Sequence, residues 1–448
     1  MNGNVRVGTD MEVSLLEMLQ AREDRVCQQR KLLQQYCVPL LCFTMNIAGP
    51  QKNSPLICRG FEHGLSMLDS QLPPSAVLHK QVNMEKTGCE AMYAVAMDAE
   101  KLKRICISIE EASPLGRLFD MDVLDTDHRK LERQSLRGCI VCGAPGRGCA
   151  AGRLHTVEQL QAATTKILHD HFAQADRKVF AQKAVQCLLD EVSTTPKPGL
   201  VDRRNNGSHK DMDVALFTAS AKALLPYFES CIQHGQETAQ LPAADTFPLL
   251  RQAGLTAEKT MYQITGGVNT HKGAIYTLGV LCGALGRLWT AQAPLPPIAE
   301  LLCQCAQLVE HSVISDLASA DGETAGQRLY LSCGLKGIRG EVAAGLPSVA
   351  KIGLPVFTDC LQQGLTKEHA GAITLLHLIA HVEDTNLYHR GGPEGAAWAV
   401  GAVKTLLQQE PYPSIAAMEA LDDAFILRNL SPGGCADLLA VTYFLSSL

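Results

Sequence analysis

The sequence lacks a basic excess, a long apolar run, an internal repeat and a low-complexity linker, and each absence removes a class of protein. Lys and Arg number 40 against 46 Asp and Glu, for a formal net charge of -6. A protein that grips long nucleic acid by its phosphates carries a surplus of cations, so nucleic acid is not an expected partner, although a local basic pocket for a small phosphorylated ligand stays open. The longest apolar stretch, 274–285, ends near Arg287 and falls short of the ~20 residues a bilayer span needs, so no membrane partner is expected. Charges interrupt the N-terminal segment, which has no apolar core of the kind a signal peptide needs. The 17 cysteines are odd in number and scattered, which reads as reduced thiols in a cytoplasm and not as a disulfide framework.

What is present is a chain rich enough in apolar residues to fold: 46% hydrophobic and 19% charged. Its 448 residues exceed one ordinary core, and length alone predicts two or three domains. The first ~35 residues predict one amphipathic helix from the spacing of Leu15, Leu16, Leu19, Val26, Leu32 and Leu33. Strand signals follow in the run ending at Gly49-Pro50, at 90–97, at 104–111 and at 116–125, and 156–172 reads as a helix. Near 172–180 the strand signals fade. Long Ala/Leu-rich helical runs then dominate, at 178–193, 211–234, 256–263, 272–290, 298–313, 366–382, 394–409, 414–428 and 435–447. The expected architecture is an α+β domain with a mixed sheet over 1–175 and an all-α domain over 176–448 whose loops carry the polar motifs.

The N-terminal part holds two constellations. Asp120 and Asp122 are two apart in a strand, so their carboxylates leave the same face. Such a pair, after a Pro114-Leu115-Gly116 turn, can hold Mg²⁺ against a triphosphate, with Arg117 meeting phosphate oxygens. A solvated acidic strand end would read the same. Cys139, Cys142, Cys149 and His155 form the second cluster, a candidate zinc set whose alternative is three reduced cysteines on a strand and turn.

The runs FTMNIAGPQK (43–52), SPLGRLFDMDVLD (113–125) and RGCIVCG with its downstream Cys and His resemble the apo-citrate lyase phosphoribosyl-dephospho-CoA transferase family over about residues 12–172. That resemblance implies a nucleotidyltransferase-like domain. It would move a phosphoribosyl-dephospho-CoA unit from its triphosphate precursor to a serine of the apo acyl carrier subunit of citrate lyase, releasing pyrophosphate. It makes Asp120 and Asp122 metal ligands and adds Asn46 and Lys52 as precursor-binding residues.

The C-terminal part carries four motifs. TPKPGLVDRRNNGSHKDM (195–212) offers Lys197, Asp202, His209 and Asp211, and TGGVNTHKGAIYTLG (265–279) places Asn269, His271 and Lys272 before a helix, where backbone N–H groups favour phosphate. GIRGEVAAGLPSV (337–349) brings Arg339 and Glu341, and EDTNLYHRGG (383–392) brings Asp384, Asn386, His389 and Arg390 ahead of a helix at Pro393. Singly each motif is a turn or a helix cap. Together, four Gly-punctuated polar loops between apolar helices predict one composite pocket.

Taken together with the terminal NLSPGGCADLLAVTYFL (429–445), these motifs resemble the triphosphoribosyl-dephospho-CoA synthase family over about 178–448. The implied reaction uses ATP as a ribosyl donor: the 2′-hydroxyl of 3′-dephospho-CoA attacks C1′, adenine leaves and the triphosphate stays. Asp202, Asp211 and Asp384 would share metal binding, base work and cation stabilisation, and Lys197, His271, Lys272 and Arg390 would bind phosphates, with His209, Asn269 and Asn386 in the substrate pocket. The product implied for the C-terminal half is the substrate implied for the N-terminal half, so the two resemblances converge on one pathway. The alternatives are the same chemistry serving malonate decarboxylase, a non-catalytic assembly factor that docks the carrier protein, and an all-α hydrolase that cleaves N-ribosyl bonds.

Overall fold

The structure, a computed structural model, describes residues 12–133, 137–144, 146–318 and 325–448. Residues 1–11, part of the segment read for a leader, lie outside the described residues. Two compact units divide between Gln174 and Ala175.

The first unit begins with α1 (Leu15–Tyr36), opened by a capping box in which Ser14 and Glu17 satisfy each other's backbone N–H groups. Then come β1 (Leu40–Met45), α2 (Pro55–Gln71) with Ser54 as its cap, the hairpin β2 (Val77–Glu85) and β3 (Gly88–Val95), α3 (Ala99–Glu111), β4 (Phe119–Leu124) and the short α4 (Gly146–Gly152). The strands form one sheet in the order β2-β3-β1-β4. Every pairing in it is antiparallel, where the sequence predicts a mixed sheet. Phe43, Phe61 and Phe119 pack together between the sheet and α2.

The expected strand at 104–111 is the body of α3. Leu102, Cys106 and Ile109 recur at helical spacing and are wholly buried, and the Asp98 side chain accepts the Lys101 N–H to cap the helix. A β-branched run within 104–111 resembles a strand only if that cap and the i, i+4, i+7 spacing are ignored. The helix also solves a problem for β4, which lies at the sheet edge. Buried Lys103 donates to the Met121 carbonyl at 2.9 Å, and buried Glu110 accepts the Met121 N–H at 2.9 Å. The exposed backbone of the edge is thereby paired by side chains.

Helix α5 (Val157–Ser193) contains the division between the units. Beyond it the described residues are helical: α6 (Val214–Ala223), α7 (Leu225–Glu237), α8 (Ala243–Ile264), α9 (Lys272–Leu288), α10 (Ile298–Ala318), α11 (Ala325–Cys333), α12 (Gly337–Ala343), α13 (Leu354–Gln362), α14 (Lys367–His381), α15 (Thr385–Gln409), α16 (Ile415–Leu427) and α17 (Gly433–Ser447). Helix α9 is apolar around its circumference, and Ala274, Ile275 and Thr277 through Gly286 are buried, which makes it the centre of the bundle. It packs against α7, α8, α10 and α17. No helix among the described residues is long and apolar enough to cross a membrane.

One difference bears on the site. The motif at 383–392, expected to be a loop, is helical from Thr385, and the chain kinks at Gly392. Asp384 is the helix cap, and Asn386, His389 and Arg390 ride its first two turns, because an Asp-Thr-Asn run starts a helix as readily as it makes a turn.

Candidate active sites

In the second unit a cavity of ≈ 930 Å³ opens where α9, α15 and α17 begin. All four sequence motifs reach it, through Lys197, His209 and Asp211, through Asn269, His271 and Lys272, through Glu341, and through Asp384, Asn386 and Arg390. Two carboxylates link the three helix starts in series. Asp384 caps α15 by accepting the Asn386 and Leu387 N–H groups at 2.7 and 3.3 Å, and its other oxygen accepts the Cys435 N–H of α17 at 2.8 Å. Asp437 of α17 in turn accepts the Ala274 N–H of α9. Three helix N-termini facing one space give it positive potential, and the carboxylates offset part of it.

The floor is acidic. Glu191, Asp384 and Asp437 all line it, and buried Lys197 forms an ion pair with Glu191. Burial raises Asp384 above the usual carboxylate range despite its three N–H donors. Asp437 is pushed up further, by burial and then by the charges of Glu191 and Asp384.

His271 is 3% exposed. Its Nδ1 meets Ser220 Oγ at 2.9 Å, and Ser220 accepts from Thr270 Oγ1 at 2.8 Å. The Ser220 proton is therefore free to go to Nδ1, which leaves the His271 hydrogen on Nε2. That Nε2 is buried and has no protein partner, while the residue lines the cavity. Burial and then the Lys197 charge lower its pKa to about 3, so the ring is neutral at ordinary pH. His271, expected among the phosphate-binding residues, thus offers the cavity a neutral imidazole with one N–H and not a positive charge.

The rim is cationic. Arg390 donates to the Ser208 carbonyl at 2.8 Å, to Asn429 Oδ1 at 3.2 Å and to His209 Nδ1 at 3.0 Å, and His209 Nε2 is 2.9 Å from Ser431 Oγ. Burial, then Arg390, lowers His209 to about 4. Lys272, paired with Glu258 at 3.1 Å, and Lys336 complete the rim, with Asp211 exposed among them. Asn269 lines the same edge, its Oδ1 accepting the Lys272 N–H at 3.2 Å.

Asp202 is placed differently from the other predicted acids. It is buried and does not line the cavity. Its oxygens accept the backbone N–H groups of Lys197, Arg204 and Asn205 at 2.8, 2.7 and 3.1 Å. It holds the loop that presents Lys197. Buried Asp422 does the same from α16, accepting from Gly199 N, Arg204 and Asn205 at 2.9, 2.7 and 2.7 Å. Gly199 has φ +69, and a Cβ there would lie 2.0 Å from the Leu430 carbonyl oxygen, so the loop closes on the segment after α16 only with glycine.

Sequence reading missed Glu191, Lys336, Asp422 and Asp437 as site residues. Asp437 carried a signal: a lone acid in an otherwise apolar C-terminal helix is costly to bury unless it has a task. Glu191 carried none, since it ends a helix among other charges.

In the first unit Asp120 and Asp122 do share a strand face. They pair with Thr44 and Cys42 of β1, while the alternate residues Met121 and Val123 are buried on the other face. Partial burial, then repulsion from Asp122, raises Asp120, and Lys130 contacts Asp122 at 2.5 Å. Across the sheet Thr44 pairs with Glu90, and a cavity of ≈ 280 Å³ lined by Glu90, Arg25 and Asn83 lies on the hairpin side of α1. Arg117 reaches the Gly138 carbonyl, Asn46 is exposed just past β1, and Lys52 donates to the Ile47 carbonyl at 2.5 Å, closing the turn between them. Of the other nearby acids, Glu110 holds Met121, Arg133 and Arg137, and Asp125 accepts the Asp127 and Arg129 N–H groups through Oδ1. Cys139, Cys142, Cys149 and His155 come together, with their ligand atoms within 4.8 Å of one another.

Two group-transfer families account for this pair of units. The profile of the ATP:dephospho-CoA triphosphoribosyl transferase family, CitG, matches residues 177–448, and that of the apo-citrate lyase phosphoribosyl-dephospho-CoA transferase family, CitX, matches residues 13–171. Among curated relatives, Protein CitXG of Haemophilus influenzae is 36% identical over 97% of this chain and 96% of its own length. Protein CitXG of Leuconostoc mesenteroides subsp. cremoris is 30% identical over 97% of each chain. A probable 2-(5''-triphosphoribosyl)-3'-dephosphocoenzyme-A synthase of Citrobacter koseri is 44% identical over 60% of this chain and 90% of its own. The chain is thus a transferase, and it belongs to the CitG family over its C-terminal part and to the CitX family over its N-terminal part. The two activities, synthesis of the citrate lyase prosthetic group and its attachment, are carried in one polypeptide.

Proposed function

We propose that the cavity of the second unit binds ATP and 3′-dephospho-CoA together and transfers the triphosphoribosyl group between them. The three helix N-termini linked by Asp384 and Asp437 at one cavity carry this reading. The helix starts, Lys272, Lys336 and Arg390 would bind the triphosphate, with Asp211 at the rim placed to share a Mg²⁺ with it. Loss of adenine builds positive charge at C1′, and the carboxylates of the floor would stabilise it. The neutral His271 has one unpartnered N–H, suited to a hydrogen bond to the departing adenine. Glu191, held by Lys197, is placed to accept the proton of the attacking 2′-hydroxyl. Asp202 acts by positioning the loop of Lys197.

The first unit would then take the triphosphate product. Asp120 and Asp122, two acceptors on one strand face, fit a hard divalent cation. When bound there, Mg²⁺ supplies charge neutralisation at the phosphates and the leaving pyrophosphate. Arg117 and Asn46, at the end of the same strand pair, would contact the precursor, and Lys52 would hold the turn beneath it. The partner is the apo acyl carrier subunit of citrate lyase, whose serine accepts the phosphoribosyl-dephospho-CoA unit. The cytoplasm supplies ATP, 3′-dephospho-CoA and this carrier, and is the proposed location.

The test is to incubate the full chain with ATP, Mg²⁺ and 3′-dephospho-CoA, with and without apo carrier, following adenine by chromatography and the carrier by mass spectrometry. Adenine release that requires dephospho-CoA, with a carrier mass gain of one phosphoribosyl-dephospho-CoA unit, is the expected result. No adenine at all would overturn the assignment of the cavity.

A further inference from the structure

We propose that Cys139, Cys142, Cys149 and His155 form a structural zinc site that ties three chain segments together in the first unit. This inference rests on the cluster alone and is independent of both reaction assignments. Four nitrogen and sulfur ligand atoms within 4.8 Å of one another are the complement of a closed tetrahedral zinc site. Zn–S bonds of about 2.3 Å at tetrahedral angles put ligand sulfurs about 3.8 Å apart, with an imidazole nitrogen somewhat nearer. The Cys142 and Cys149 sulfurs are 3.4 Å apart, and His155 Nε2 is 3.3 Å from Cys142 Sγ. These separations fit a metal between the atoms. They are too long for a disulfide, which requires about 2.05 Å.

The backbone around the first pair is shaped for the same purpose. Cys139 and Cys142 stand in a tight turn in which the Gly143 N–H donates to the Cys139 carbonyl at 2.9 Å. The Val141 N–H points at Cys139 Sγ at 3.4 Å, the donor a metal-bound thiolate accepts. Gly143, at φ +73, makes the turn possible. The other ligands come from separate elements. Cys149 lies in α4, whose end is closed by the Leu154 N–H to the Cys149 carbonyl at 3.1 Å. His155 immediately precedes Thr156, the cap of α5, whose hydroxyl accepts the Gln159 N–H at 3.3 Å while Gln159 Oε1 accepts the Thr156 N–H at 3.0 Å.

The site also has a neighbour to steady. Arg117 binds the Gly138 carbonyl, and Arg137 donates to the Phe119 carbonyl at 2.5 Å, so the residues just before Cys139 are fastened to the start of β4, the strand of Asp120 and Asp122. Zinc would fix the far side of that same segment. On binding, each of the three thiols gives its proton to solvent and the imidazole binds neutral through Nε2.

The test uses the full chain, purified under reducing conditions without chelator or an affinity metal. Elemental analysis by mass spectrometry is expected to find about one zinc per chain. Cobalt exchanged into the wild-type protein is expected to give the visible bands and sulfur-to-metal charge transfer of a tetrahedral thiolate site. Cys142→Ser should lose the metal, while Cys303→Ser, an exposed thiol outside the cluster, should keep it. A wild-type chain that carries no zinc after growth in zinc-replete medium, and gives no thiolate charge transfer with cobalt, would overturn the proposal. So would a Cys142–Cys149 disulfide found in its place by peptide mass mapping.

Discussion

The Asp437 carboxylate lies directly against Gly273: a Cβ on that glycine would come within 1.8 Å of Asp437 Oδ2. Gly273 belongs to the first turn of α9, where alanine is normally the better helix former, by roughly 0.5–1 kcal/mol. Gly273→Ala therefore separates folding from catalysis. The helix gains intrinsic stability, but Asp437 must leave the Ala274 N–H and the cavity floor. We expect a thermal midpoint close to wild type together with at least a tenfold loss of adenine release, roughly 1.4 kcal/mol of lost transition-state stabilisation. Scanning calorimetry and an adenine assay on the same preparation decide it. Undiminished turnover would remove Asp437 from the site.

Lys197 and Glu191 are 1% and 6% exposed and face each other in the floor. Lys197→Met leaves a carboxylate buried without its counter-charge, a change that costs about 3–5 kcal/mol. Lys197→Met with Glu191→Gln removes both charges and should recover much of that loss. Urea unfolding of wild type, single and double variants gives the coupling. If the double variant is no more stable than the single one, the pair is not what holds this part of the fold.

His271 makes a prediction about pH. Its folded-state pKa is lowered to about 3 from an ordinary 6.5. Between those values the unfolded chain binds a proton that the folded chain does not, so stability from this residue is complete above pH 6.5 and lost as the pH falls. The loss approaches 1.4 kcal/mol per pH unit and levels off near pH 3. Buried carboxylates such as Asp384, whose pKa is raised, change stability in the opposite sense, so the informative quantity is the difference between wild type and His271→Gln. That difference should narrow steadily from pH 6.5 downward in urea titrations. A constant difference would mean that His271 is not held neutral.

Much of the C-terminal site was legible because its chemistry is written in short runs. Lys197, His271, Asp384 and Arg390 each stand beside Gly, Pro or a helix start, and the physical signal for a phosphate-facing helix N-terminus is local. Asp437 showed only as a lone acid in an apolar helix and Glu191 not at all, because what each faces depends on which helix ends the bundle brings together. Asp202 shows the converse. A conspicuous acid in a Gly-Pro loop proved to be the loop's own internal cap. In the first unit the alternating β-branched residues of 104–111 mimic a strand within a helix, and β2 (Val77–Glu85) gives little signal because it alternates exposed and half-buried residues without a continuous apolar run.

Asp120 and Asp122 allow the two activities to be pulled apart within one chain. Asp120 is exposed and Asp122 half-buried on the strand face that also carries Cys42, while the neighbouring Met121 and Val123 fill the opposite face, so an isosteric amide at either position keeps the packing. Asp120→Asn and Asp122→Asn each remove one negative charge from the proposed cation site while preserving shape. Each should lower carrier loading at least as much as loss of a group that only orients a metal ligand, about 10–100-fold, and leave adenine release at the wild-type rate. Asp122→Asn should show a second effect. Lys130, which contacts Asp122 at 2.5 Å, would be released, and that free cation would weaken Mg²⁺ further. The Mg²⁺ concentration giving half-maximal loading should therefore rise more for Asp122→Asn than for Asp120→Asn, a comparison that mass spectrometry of the carrier across a Mg²⁺ series can make. Equal shifts would place Lys130 on the phosphates and not on the acid.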